Sequence, residues 1–138
     1  NSASKLKHLR CYAMRIAPTL RELITVEDFT REGACISMDI SLSQDLIDDD
    51  GLIHGGMLAL IMSIGAEELA RQHLARDGYL IVSSASINYL KQAVAGDIIN
   101  IRACIAGKSE RMMLVDVDAT VAGEHVAKAL YSFIIEEE

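Results

Sequence analysis

One apolar stretch, from Gly56 to about Ala75, restricts what this chain can fold into more than any other feature of the sequence. It has no proline, contains several Met, Leu and Ala residues, and becomes polar only after Glu67. This composition predicts a helix. Because the first turns of that helix would be apolar on nearly all sides, other structure has to wrap around it.

The second half of the chain has the composition of strands. Its runs are rich in Ile, Val, Leu and Tyr, and residues Leu114 to Ala119 alternate clearly between the two faces of a strand. The runs are YLIVSSASINYLKQ, DIINIRACIAGKSE, RMMLVDVDATVAG and EHVAKALYSFIIEEE. Turns are predicted between them at Ala95-Gly96, Gly107-Lys108 and Gly123-Glu124. We therefore expect an antiparallel meander.

The first half supplies three further elements. From Ser4 to Leu23 apolar residues recur every three or four positions, the period of an amphipathic helix, although Pro18 interrupts it. The segment LITVEDFTREGACISMDISLS then has a turn at Gly33 and predicts a hairpin. Residues Ser43 to Ile53 are acidic and predict a loop.

These elements predict an α+β fold in which a curved antiparallel sheet wraps around one central helix, with an additional N-terminal helix. The 138 residues fit a single domain, residues 1–138, since two halves would each be too small to bury a good core. No internal repeat or linker divides the chain.

Composition excludes several classes of partner. The net charge of -7 argues against a nucleic-acid interface, which needs clustered Lys and Arg. The apolar window from Leu52 to Ala66 is too short to span a bilayer. His73 and His125 lack ligand spacing, so no metal site is predicted.

The cysteines predict a reducing compartment. Cys11, Cys35 and Cys104 are odd in number and far apart, which suggests neither a disulfide framework nor a metal site. The sequence NSASKLKHLR at the start lacks the apolar region of a signal peptide. We therefore expect reduced thiols in a cytoplasmic protein.

Two motifs, with the helix between them, resemble those of a known family. They are GLIHGGMLALIMS, with His54-Gly55-Gly56 at the helix start, and IVSSASINYLKQAVAGDIINIRACI, with Ile87 to Leu90 followed by Gly96-Asp97. From about Leu23 to Ile135 the chain resembles the hotdog-fold acyl-CoA thioesterases of the phenylacetate-degradation type.

The resemblance implies a fold, a partner and a substrate. It implies a homodimer or a dimer of dimers whose sheets join edge to edge, with active sites at the subunit interface. The expected substrate is an acyl-CoA or acyl-carrier thioester, so coenzyme A is part of the substrate and no cofactor is expected.

The His54-Gly55-Gly56 motif suits the stabilisation of negative charge. The first N–H groups of a helix have no internal partner and lie at the positive end of its dipole. Glycines let a substrate approach this backbone closely. The resemblance assigns the principal oxyanion donor to the N–H of Gly55. His54 is expected to orient the thioester or a water; alternatively, it only caps the helix.

The catalytic base is the open question. In the family an acid usually lies nine residues after the histidine, and here that position is Ser63, a poor nucleophile without an adjacent base. Glu67 lies one helical turn beyond Ser63, and Glu68 points away and is a weaker candidate. Asp48 occupies a position where several family members have Asn or Gln. Alternatively, Glu67 and Glu68 mark where the helix meets solvent, and Asp48 is a turn residue.

Further residues are candidate contacts to the substrate. Ser83 and Ser84 lie beside the position of an assisting serine or threonine in some relatives. Lys91, Lys108 and Arg111 lie near strand ends where the family receives the nucleotide of coenzyme A, or they are ordinary surface charges.

The leading hypothesis is thus hydrolysis of an acyl thioester by activated water. One alternative is a hotdog protein that binds an acyl thioester without cleaving it, which the serine at position 63 favours. Another is a hydratase or dehydratase in which His54 and Asp48 transfer protons.

Overall fold

The computed structural model describes residues 22–74 and 78–137. The predicted helix from Ser4 to Leu23 lies outside these residues apart from its last two. The described part contains one long helix and a six-stranded sheet. In chain order the elements are β1 (Ile24–Glu32), β2 (Cys35–Leu42), a 3-10 turn (Gln44–Leu46), α1 (Gly55–Gln72), β3 (Gly78–Tyr89), β4 (Ile99–Lys108), β5 (Met112–Val121) and β6 (Glu124–Glu137).

The sheet is antiparallel throughout, in the order β1-β2-β4-β5-β6-β3. The predicted hairpin of β1 and β2 is confirmed, and β4, β5 and β6 form a meander. The prediction that β3 precedes β4 in that meander is wrong, because β3 pairs with β6 and β2 takes the place beside β4. Alternation places side chains on faces but does not identify the neighbouring strand.

The turns explain this difference. The segment between β3 and β4 is not a tight hairpin: it crosses the start of α1, where Leu52 pairs with Val94 and Ile53 N–H donates to Ala93. The predicted turn at Gly107-Lys108 is also wrong, since both residues belong to β4. In contrast, Ala122 and Gly123 have φ of 50° and 81°, the left-handed backbone of a two-residue hairpin turn.

Helix α1 packs against β2, β3, β4, β5 and β6 and forms one core with the sheet, as its apolar surface predicts. The helix itself contributes large buried side chains to this core, among them Leu58, Ile61, Met62 and Leu69. Gly65 allows α1 to approach β4 closely, because an added Cβ would lie 2.8 Å from Cγ2 of Ile101. Such a long apolar helix is therefore stable because the sheet covers it.

Cys35 and Cys104 form a disulfide bond. They lie directly opposite each other on β2 and β4, with their Cα atoms 4.1 Å apart. The prediction of reduced thiols is wrong for this pair, because strand register brings together two residues that are 69 positions apart in sequence. The cytoplasmic location inferred from those thiols loses that support, since disulfides persist mainly in oxidising compartments.

The edge strand β3 is the least covered part of the sheet. It pairs with β6 on one side and has no second partner within the described residues. Tyr79, Val82 and Tyr89 are each 52% exposed. In the described part of the chain, no helix is long and apolar enough to cross a membrane.

Candidate functional site at the start of the helix

His54 is the N-cap of α1. Its Nδ1 accepts a hydrogen bond from the N–H of Gly56 at 2.9 Å, and its carbonyl oxygen accepts from Met57 and Leu58. The N–H of Gly55 finds no acceptor within residues 22–74 and 78–137. The cap thus satisfies the neighbouring donors and leaves the Gly55 N–H available to a ligand.

The cap also defines the tautomer of His54. An Nδ1 atom that accepts a hydrogen bond carries a lone pair, so in this arrangement the ring proton lies on Nε2. The side chain is exposed. His54 therefore presents an N–H donor to its surroundings, which suits orientation of a substrate oxygen or a water better than removal of a proton.

Tyr89, at the end of β3, packs on the helix start. Its hydroxyl donates to the carbonyl oxygen of Gly55 at 2.8 Å. A Cβ at Gly55 would lie 3.2 Å from Cζ of this ring, and one at Gly56 would lie 3.0 Å from Nδ1 of His54. The two glycines therefore allow a tyrosine ring and an imidazole to approach the backbone.

A cavity of about 350 Å³ opens beside this backbone. Its lining consists of aliphatic side chains, the helix start and three longer polar side chains: Ile53, Gly55, Leu58, Tyr89, Leu90, Lys91, Gln92 and Ala93. Gln92 Nε2 donates to the carbonyl oxygens of Ile53 and Ala93 at 2.8 and 2.7 Å. A volume of this size suits a small ligand or part of a larger one.

Tyr89 and Gln92 were not among the residues expected at the site from the sequence. Both lie within the strand motif that carries the family resemblance, which is the signal that pointed to this region. Their contacts to the helix start depend on the pairing of β3 with β6, and the sequence pattern does not reveal that pairing.

Neither of the two leading carboxylates lines the cavity. Oδ1 of Asp48 accepts hydrogen bonds from the N–H groups of Asp50 and Leu52, both at 2.9 Å, as a turn residue does. Oε1 of Glu67 lies 3.2 Å from a guanidinium nitrogen of Arg71. Glu67 is also about 18 Å along the helix axis from Gly55, at 1.5 Å per residue.

Other residues of α1 are engaged locally. Ser63 is half-buried, and its hydroxyl donates to the Leu60 carbonyl oxygen at 2.6 Å. Glu68 is 3% exposed, with its carboxylate bound by Arg71 at 3.2 Å and by Gln72 at 3.0 Å. The suggestion that Glu68 marks the emergence of the helix into solvent is therefore wrong, because this face packs against the core.

The two candidate serines of β3 differ in position. Ala85 pairs with Tyr131, whose hydroxyl reaches the helix, so Ser84 points to the opposite face of the sheet. There its hydroxyl lies 2.9 Å from that of Ser132. Ser83 is exposed at the irregularity between Val82 and Ser84.

Of the three candidate cations, Lys91 lines the cavity. Its Nζ forms an ion pair with Glu124 at 2.7 Å. Lys108 donates instead to the His73 carbonyl oxygen at the other end of α1, and Arg111 is exposed between β4 and β5. One chain therefore brings a single candidate cation to the helix start.

Tyr131 anchors the next turn of the helix. Its hydroxyl donates to the Ala59 carbonyl oxygen at 3.0 Å, and its ring stacks on Phe133. Burial, with a smaller contribution from Tyr89, raises the pKa of Tyr131 to about 12. The hydroxyl is thus a proton donor to the helix backbone throughout the physiological range.

Within the described residues, no group of His, Cys, Asp and Glu side chains is placed to hold a metal ion. The helix start offers two hydrogen-bond donors, the Gly55 N–H and the Nε2–H of His54. A site of this kind stabilises negative charge on an oxygen atom.

Similar folds occur among solved structures. S. sahachiroi AziG is 20% identical with a TM-score of 0.77, covering 90% of this chain and 100% of its own. A hypothetical thioesterase with coenzyme A from Streptococcus pneumoniae is 22% identical (TM-score 0.71; 85% and 93% covered). A thioesterase from Haemophilus influenzae is 12% identical (TM-score 0.80; 94% and 89% covered).

At these identities the structures establish the fold, an antiparallel sheet around one long helix. No curated protein matches the sequence significantly. The family model of the thioesterase superfamily matches residues 50–128, which is more than half of the chain and includes the helix start, α1, β3, β4 and β5. The chain therefore belongs to the thioesterase superfamily.

Proposed function

We propose that this protein hydrolyses an acyl thioester of coenzyme A or of an acyl carrier protein. The observation that carries the proposal is the N–H of Gly55, which lies at the start of α1, beside the cavity, without an acceptor in the described chain. Membership of the thioesterase superfamily supports the reaction class.

The proposed reaction is attack of water on the thioester carbonyl carbon. The carbonyl oxygen gains negative charge, which the Gly55 N–H and the positive end of the helix dipole stabilise. The Nε2–H of His54 is a second donor, to this oxygen or to the water. Collapse of the tetrahedral intermediate breaks the carbon–sulfur bond, and the thiolate leaves.

A base has to accept a proton from the water, and we propose that a second subunit completes the site. Within residues 22–74 and 78–137, one edge of β3 has no partner strand; this edge is long and exposes apolar side chains, which suits pairing with the same strand of another copy. Such a dimer would bring the partner's helix towards Gly55. Asp48 and Glu67 remain the candidate bases. Neither lines the cavity of its own chain, so either one would act on the substrate bound by the other subunit.

The coenzyme A part of the substrate is proposed from two facts. The similar structure from Streptococcus pneumoniae contains coenzyme A. Lys91 also lies at the cavity of this chain, although its partner Glu124 offsets part of its charge. Ser83, Ser84, Lys108 and Arg111 stay candidates for contacts across a dimer.

The test is release of free thiol from a panel of short, medium, long and aryl acyl-CoAs. Asp48→Asn and Glu67→Gln then separate the candidate bases, because the true base should lose at least about 100-fold in kcat. Asp49→Asn is the matched control, since Asp49 is an exposed neighbour in the same loop.

A second candidate function is binding of an acyl thioester without hydrolysis. It is favoured by the cavity, since the described residues that line it include hydrogen-bond donors but no carboxylate. Saturable binding of acyl-CoA without thiol release from any member of the panel would support this function and exclude hydrolysis.

A further inference from the structure

The peptide group between Gly55 and Gly56 is held at both of its ends. Its oxygen accepts from the Tyr89 hydroxyl at 2.8 Å, and its N–H donates to Nδ1 of His54 at 2.9 Å. It is joined through the Gly55 Cα to the peptide group that carries the available N–H. That peptide group is itself held through the His54 carbonyl oxygen, which accepts from Met57 and Leu58. The two hydrogen bonds on the next peptide group hold the other side of the Gly55 Cα, about which glycine permits wide rotation.

We propose that Tyr89 is a positioning residue, which holds the Gly55 N–H in the direction required to bind an oxyanion. This inference rests on the proposed function for its effect on the reaction rate. The hydroxyl of Tyr89 does not contact the reacting atoms; it acts through the Gly55 carbonyl oxygen. Its ring packs on Gly55, and both residues line the cavity.

Tyr89 differs from a tyrosine that only stabilises the core. It is 52% exposed, so water competes for its hydrogen bond, and the bond contributes little to the free energy of folding. Tyr131 makes the corresponding bond to Ala59, four residues further along the helix, but is 2% exposed. The chain therefore contains a matched control: the same hydroxyl-to-helix contact, one turn away from the proposed donor.

The first experiment compares Tyr89→Phe with Tyr131→Phe. Each keeps its ring and loses one hydroxyl. We expect Tyr89→Phe to lower kcat by about 10- to 100-fold, because a misplacement of about 1 Å costs up to that factor, with KM changed less than about 3-fold. Tyr131→Phe should lower Tm more than Tyr89→Phe does and leave kcat close to that of the wild type. Equal kcat in Tyr89→Phe and wild type would overturn the inference.

The second experiment does not depend on activity. In the wild type, ¹⁵N NMR of the imidazole should identify His54 as the Nε2–H tautomer. Loss of the Tyr89 hydroxyl removes one hydrogen bond from the peptide that His54 caps, so Tyr89→Phe should shift the His54 nitrogen and Gly56 amide resonances, and Tyr131→Phe should not.

The two experiments separate the two proposals. Unchanged His54 and Gly56 resonances in Tyr89→Phe overturn the role of Tyr89, whatever the activity of the wild type. A wild type that releases no thiol, together with shifted resonances in Tyr89→Phe, overturns the proposed hydrolysis but leaves Tyr89 as the residue that positions the Gly55 donor.

Discussion

Nδ1 of His54 accepts a hydrogen bond from the N–H of Gly56 at 2.9 Å, within the first turn of α1. The His54 side chain is exposed, and its other ring nitrogen makes no hydrogen bond within residues 22–74 and 78–137. Capping of the helix and orientation of a ligand are therefore not alternatives for His54, because each uses a different ring nitrogen. Stability and activity should separate on substitution.

We expect His54→Asn to keep the cap, since an asparagine side-chain oxygen accepts from the same N–H group. Tm should stay near the wild-type value, whereas kcat for thioester hydrolysis should fall at least about 10-fold, because the Nε2–H donor is lost. His54→Ala should lose both and be destabilised by about 1 kcal/mol. Thermal unfolding and thiol release check the pair; wild-type kcat in His54→Asn would exclude a role for Nε2.

Gly65 should tolerate no side chain. A Cβ there would lie 2.8 Å from Cγ2 of Ile101 and 3.1 Å from Cε of Met38, so Gly65→Ala should destabilise the fold by about 1–3 kcal/mol. Gly107→Ala is the control, because its Cβ would only make ordinary contacts of 3.5 Å with Leu114. Urea unfolding measures both; equal stability of the two variants would contradict the close packing of α1 on β4.

The sequence predicts those parts of the fold that depend on local pattern. The apolar run from Gly56 requires a covered helix, and alternation identifies the strands. Tyr89 at the site and the bond between Cys35 and Cys104 depend instead on which strands are neighbours, a property of the whole sheet. The family resemblance predicts the N–H of Gly55 as an oxyanion donor. Only the structure shows that His54 binds the neighbouring N–H of Gly56 and leaves that of Gly55 available.

The disulfide gives a prediction about thiol content and stability. Unfolded protein should gain two titratable thiols on reduction, because Cys35 and Cys104 are bonded. Reduction should also lower the free energy of unfolding by about 4 kcal/mol, the loop-entropy value for a closure of this length. Cys35→Ser, measured with and without reductant, should show no further loss on reduction. An unchanged thiol count would contradict the bond.

Ser63 provides a test of the missing acid. If a partner's helix approaches Gly55, a carboxylate at this half-buried position could activate water. We expect Ser63→Asp to raise kcat at least about 10-fold over the wild type, with a rise of activity as pH increases through the carboxyl pKa. Ser63→Asn, of similar size and without charge, should not raise kcat. Equal kcat in the two variants would exclude this position from the site.

We expect Tyr131 to lower the free energy of unfolding at alkaline pH. Its pKa rises from 10.0 to about 12 on folding, chiefly because burial disfavours the phenolate. A raised pKa means that the folded state holds its proton more tightly, so this contribution is complete below about pH 10 and is lost as pH rises towards 12. At pH 11 the loss should be about 1 kcal/mol. Urea unfolding from pH 8 to 11.5 measures it against Tyr131→Phe, in which this part of the decline should be absent. If the wild type and Tyr131→Phe lose stability equally over this range, the buried hydroxyl does not account for the decline.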